Sequence, residues 1–96
     1  MLTIEKIQEV VSRISKQYGL KSAYLFGSYA KSSATANSDV DLYVDLGDVK
    51  DFRTYETMRL DIKNELGAEV DIVTTGGVKP KFFELIKNDR ILLYGA

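Results

Sequence analysis

The chain has 96 residues and a formal net charge of −1, with 13 Lys and Arg against 14 Asp and Glu. That length fits one domain, residues 1–96, with a modest core and no deep enclosed cavity, and the balanced charge gives no global basic field to recruit nucleic acid. Cysteine and histidine are both absent, which excludes disulfides, thiolate metal sites, imidazole bases and His-dependent triads. Any bound metal must therefore be held by oxygen, which favours Mg2+, Mn2+ or Ca2+.

Glu, Lys and Arg recur through residues 1–18, so no signal peptide and no membrane span is expected, and the chain reads as cytoplasmic. Residues 4–18 form an amphipathic helix. Ile4, Ile7, Val10, Val11, Ile14 and Tyr18 lie on one stripe, Thr3 caps the start and Gly19 ends it. Residues 21–26 make a short buried strand, apolar on both faces, which Gly27 breaks. The small polar stretch 28–36 suits either a short helix or a loop. Residues 39–46 alternate cleanly: Val40, Leu42, Val44 and Leu46 point one way, and Asp39, Asp41, Tyr43 and Asp45 the other.

Residues 51–66 give a second amphipathic helix, with Phe52, Tyr55, Met58, Ile62 and Leu66 on its stripe and Gly67 as its stop. Arg59 falls inside that stripe, either snorkelling to water or aimed at an anionic ligand. Residues 69–74 form a third strand, and Gly76-Gly77 a turn. Pro80 opens a third full helix to about Asn88 that buries Phe82 or Phe83, Leu85 and Ile86. Residues 91–94 complete the sheet. The order is α-β-(α)-β-α-β-α-β, an α+β fold with α/β-type alternation in which helices cover a sheet. The acidic rows should lie where the sheet is left uncovered.

Asp39 and Asp41 project from one face of their strand, with Cα atoms ~6.5–7 Å apart. That spacing lets two carboxylates converge on one divalent ion or bridge two. Asp71, on the strand after the next helix and flanked by Val70 and Ile72, can join them if the strands are neighbours. Three carboxylates repel one another without a cation and become ligands with one. A period-two Asp row also fits a solvated edge strand, but Asp is a poor strand former. Asp45, two steps beyond Asp41, reads as surface. Gly27 lets backbone N–H groups approach a phosphate, Ser28 adds a hydroxyl donor, and Lys31 adds charge one turn on. An anion seat beside a metal cluster suits a metal-bound nucleoside triphosphate.

Gly27-Ser28, Asp39-x-Asp41 and Asp71 together resemble the nucleotidyltransferase signature of the DNA polymerase β-like superfamily. The stretch "GSYAKSSATANSDVDL" is most similar to its smallest branch, the minimal nucleotidyltransferases or MNT domains. The resemblance implies a mixed sheet flanked by helices. It implies that Asp39, Asp41 and Asp71 are catalytic and hold Mg2+, as two ions, with Mn2+ as a substitute. It also implies that Gly27, Ser28 and Lys31 bind the nucleotide. Lys31 stands where the family usually has Arg, keeping the charge without the bidentate fork. Ser32 stands where it usually has Gly, at a loop position suited to positive φ.

The family further implies transfer of AMP from ATP to a hydroxyl, a tyrosine's, on a HEPN-type toxin partner, with the chain acting as antitoxin. Such a partner would supply the wall that a second domain gives larger relatives, with Tyr29, Tyr43 or the apolar helix ends as candidate interface. A homo-oligomer is compatible with the sequence. The alternative is an antitoxin with a degenerate site that neutralises its partner by binding alone.

Overall fold

The computed structural model describes residues 2–75 and 80–95. Helix α1 (Ile4–Tyr18) is followed by strand β1 (Ser22–Phe26), a four-residue helix α2 (Gly27–Ala30) and strand β2 (Val40–Asp45). Helix α3 (Phe52–Leu66), strand β3 (Val70–Thr74), helix α4 (Pro80–Ile86) and strand β4 (Ile91–Gly95) complete the chain. Thr3 Oγ1 accepts the Lys6 N–H at 3.1 Å and Asp51 Oδ2 accepts the Thr54 N–H at 3.0 Å, so both long helices start at side-chain caps. Both end on a left-handed glycine, Gly19 and Gly67. The expected turn at Gly76-Gly77 lies outside the described residues.

The four strands form one mixed sheet in the order β3-β2-β1-β4. β1 pairs antiparallel with both β2 and β4, while β2 and β3 run parallel. The parallel pair needs a crossover, and α3 supplies it. One face of the sheet carries the core: Ala23, Leu25, Leu42 and Val44 are at most 1% exposed. They pack in one cluster with Ile7, Val10, Val11 and Ile14 of α1 and Met58, Ile62 and Leu66 of α3. Outside this layer, Tyr18 donates to Asp61 Oδ2 at 2.6 Å and the Arg13 guanidinium forks onto the Glu65 carboxylate, tying α1 to α3.

Two expected core residues are not in the core. Phe52 and Leu85 are each 77% exposed. Phe52 opens α3, and its ring leans on Tyr55, 6.2 Å away, rather than on the sheet. In the short α4, Phe82 makes the ring contacts with the sheet. Arg59 pairs with Glu56 on the same helix, Nε to Oε1 3.1 Å, which fits the snorkelling alternative. No described helix is long and apolar enough to cross a membrane.

Ser15 is fully buried on α1, and its Oγ has no hydrogen-bond partner among the described residues. A buried hydroxyl without a partner costs ~1–3 kcal/mol, and Ala is the better helix former. Ser15→Ala is therefore expected to raise the melting temperature by roughly 4–8 °C per kcal/mol regained, measured by thermal unfolding.

Candidate active site

The strand directions bring three distant segments to one end of the sheet. Antiparallel pairing sets Phe26, the last residue of β1, opposite Asp41 near the start of β2. Parallel pairing sets Asp41 beside Asp71. Alternation along β2 buries Val40, Leu42 and Val44, and turns Asp39 and Asp41 to the other face. Asp39 and Asp71 are exposed and Asp41 is half-buried. The Asp41 carboxyl is pushed above its ordinary value of 3.8, first by burial and then by the charges of Asp71 and Asp39.

Gly27 links the Gly-Ser pair to these carboxylates. It begins α2 with φ +74°, and a Cβ there would lie 2.1 Å from Asp41 Oδ2. A side chain at 27 would have to push that carboxylate aside, and the positive φ favours glycine in its own right. No side chain caps the start of α2, which leaves its first N–H groups to other acceptors. Ser28 is half-buried, and Lys31 is exposed with its backbone N–H on the Gly27 carbonyl at 3.1 Å. Ser32, with φ 61°, is the one non-glycine residue at positive φ among the described residues.

The proposed interface tyrosines are corrected. Tyr29 and Tyr43 are only 6% and 7% exposed. Tyr43 shares the Asp41 face but is covered by Phe82, whose ring stacks on it at 5.8 Å with 16° between planes. Phe82 also meets Phe26 edge-on at 5.4 Å. This aromatic shelf beside Asp41 was missed in the sequence reading. Its signal was the shared alternation of Tyr24, Phe26 and Tyr43, with Phe82 of α4 to cover them. Asp45 is also better defined: its Oδ1 accepts the Gly47 N–H at 3.2 Å and shapes the turn after β2. On the β3 side of Asp39 a cleft of about 460 Å³ opens between the start of β2 and the end of α3.

The donor set suits a hard divalent cation: three carboxylates, all-oxygen, with the charges of Asp71 and Asp39 adding to burial in holding the Asp41 carboxyl above its ordinary value. Among the described residues no three acidic side chains stand together as a ready metal site, so the exposed Asp39 and Asp71 would have to swing toward Asp41 to hold one. Because Asp41 titrates higher folded than unfolded, its protonation stabilises the fold. That contribution is complete below the ordinary value of 3.8 and is lost as pH rises through the raised folded value. In chelator, Asp41→Asn is expected to melt above the parent protein at neutral pH and to lose that advantage in acid, as read from melting curves across pH.

Residues 5–96 match the family model described as polymerase beta, nucleotidyltransferase. Among curated relatives, the protein adenylyltransferase MntA of Thermococcus cleftensis is 29% identical over 83 residues, covering 82% of this chain and 84% of that one. A chain solved as a "putative minimal nucleotidyltransferase" superposes with a TM-score of 0.80 at 27% identity, over 94% of this chain and 95% of that one. The complex of a tri-AMPylated Shewanella oneidensis HEPN toxin with its MNT antitoxin contains a chain with a TM-score of 0.71 at 19% identity. That match covers 96% of this chain and 72% of that one, and it shows the shared fold. With the Gly27–Asp41 packing and the Asp41–Asp71 pairing in place, the chain belongs to the polymerase beta nucleotidyltransferase family.

Proposed function

We propose that this nucleotidyltransferase is a Mg2+-dependent protein adenylyltransferase that transfers AMP from ATP to a tyrosine hydroxyl of a HEPN-type toxin, and so serves as its antitoxin. The observation that carries the reading is the packing of Gly27 against Asp41, with Asp71 beside it on β3. One glycine joins a phosphate seat to Asp41, whose strand neighbour is Asp71. A relative that is a protein adenylyltransferase and a fold neighbour in complex with an AMPylated HEPN toxin support a protein acceptor and a HEPN-type partner.

In this reading Gly27 and Ser28 hold the triphosphate through backbone N–H groups and a hydroxyl, and Lys31 adds charge from the following turn. Asp39, Asp41 and Asp71 hold Mg2+, which when bound neutralises phosphate charge and lowers the pKa of the acceptor hydroxyl. Asp71 orders that hydroxyl and takes its proton. The acceptor oxygen bonds to the α-phosphorus, the bond from that phosphorus to the bridging oxygen breaks, and pyrophosphate leaves. Positioning and charge neutralisation do most of the work, because the chain has no histidine to act as base.

One observation favours a second reading, in which the site is degenerate and the protein neutralises its partner by masking it. Ser32 occupies a left-handed position, φ 61°, which a glycine would hold without strain. Transfer of radiolabel from ATP to the co-purified partner separates the two. Label is expected on the partner with the parent protein, and Asp39→Ala should cut it on the order of 100-fold or more, the scale of losing one preorganised charge-stabilising group. A stable complex with no label at all would leave masking as the function. Asp45→Ala should transfer at the parent rate and lose only ~0.5–1.5 kcal/mol of stability with its turn hydrogen bond. In thermal shift, Mg2+ and ATP together should raise the melting temperature more than ATP alone. Equal shifts would count against the metal-dependent site.

A further inference from the structure

We infer that the aromatic shelf beside Asp41 is the nucleobase subsite, with the ring of Phe82 as the platform on which the purine of the bound nucleoside triphosphate stacks. The inference rests on the adenylyltransferase reading, which gives the phosphates their place, and adds to it where the base lies and what selects it.

Strand register builds the shelf. Phe26 on β1 stands directly opposite Asp41 on β2, and Tyr43 follows Asp41 by two residues on the same face. Phe82 arrives from α4 and meets both. Its ring lies edge-on to Phe26 at 5.4 Å and stacks on Tyr43 at 5.8 Å with 16° between planes. Three rings therefore gather next to the carboxylate that packs on Gly27.

A nucleotide joins its base to its α-phosphate through one sugar. A base whose phosphates sit between Gly27-Ser28 and Asp41 must therefore lie close to both. Phe26 is the residue immediately before Gly27, which puts the shelf within that reach. The faces of a purine stack on aromatic side chains, and the cleft on the other side of Asp39 has no ring in its lining. Tyr43 is 7% exposed and forms the floor of the shelf, whereas Phe82 is only half-buried. Stacking on Tyr43 occupies one face of the Phe82 ring and leaves the opposite face for a base. An aliphatic side chain at 82 could cover Tyr43, but only a ring stacks a base.

Two ligands test this with Mg2+ present: ATP, and tripolyphosphate, which has the phosphates and no base. Calorimetry should show the parent protein binding both. Phe82→Leu keeps an apolar cover over Tyr43 and should bind ATP about tenfold more weakly, the scale of losing one stacking ring, while binding tripolyphosphate as the parent does. The parent should bind ATP more tightly than CTP, whose single ring covers less of the platform, and Phe82→Leu should narrow that gap. The chain has no tryptophan, so Phe82→Trp introduces a single indole. ATP should quench its fluorescence and tripolyphosphate should leave it unchanged, and this readout decides the matter if Phe82→Leu fails to fold. Parent-like ATP binding in Phe82→Leu, an equal loss of both ligands there, or no ATP-specific quenching in Phe82→Trp would overturn the proposal and leave the adenylyltransferase reading standing. A parent protein that binds neither ligand would overturn both together.

Discussion

The backbone at Gly27 and the carboxylate of Asp41 require the same space. A Cβ at residue 27 would lie 2.1 Å from Asp41 Oδ2 and displace that carboxylate from its present place, and the φ of +74° there favours glycine. Everything at the site hangs on that close approach. It fixes the turn out of β1, and so the direction in which α2 presents its uncapped N–H groups. It also holds Asp41 in a half-buried place where the charges of Asp71 and Asp39 are felt. The buried face of the sheet supports this from below, because Val40 and Leu42, which flank Asp41, are fully buried. A strand anchored at both neighbours of a carboxylate cannot rotate to relieve the repulsion.

Much of this was legible in the sequence because local rules and burial agree. The caps at Thr3 and Gly19, the stop at Gly67 and the alternation from Asp39 onward depend on neighbours a few residues away, and the structure has all of them. The element order followed from the same periodicities, and the mixed sheet matches what the family resemblance implied. What failed depended on contacts between distant elements. Tyr43 has an outward position on β2, yet it is buried, with the ring of Phe82 from α4 stacked on it. Phe52 and Leu85 have the right spacing for the core but are exposed, Phe52 with its ring against Tyr55 of its own helix. Periodicity reports which side of an element a residue is on, and says nothing of whether the neighbouring element extends that far.

The site shows the same division. Asp39 and Asp41 lie at the start of β2, and Gly27 and Ser28 open the helix that leaves β1, so the β1–β2 pairing joins them. The place of Asp71 needed the parallel crossover through α3, and its own alternation gave only its face. The cleft beside Asp39 could not be read at all. Its lining comes from the ends of β2 and α3 and from the residue before β3, and no single stretch carries its pattern.

The three carboxylates are not held with equal persistence. β2 is paired on both sides, whereas β3 closes the sheet and is hydrogen-bonded to one neighbour. Edge strands open locally at a free energy below that of global unfolding. Asp71 therefore lies on a strand with one pairing neighbour where Asp41's has two, and amide exchange along β3 is expected to outpace that along β2. Anything that pairs with or covers β3 would steady Asp71 without touching Asp41.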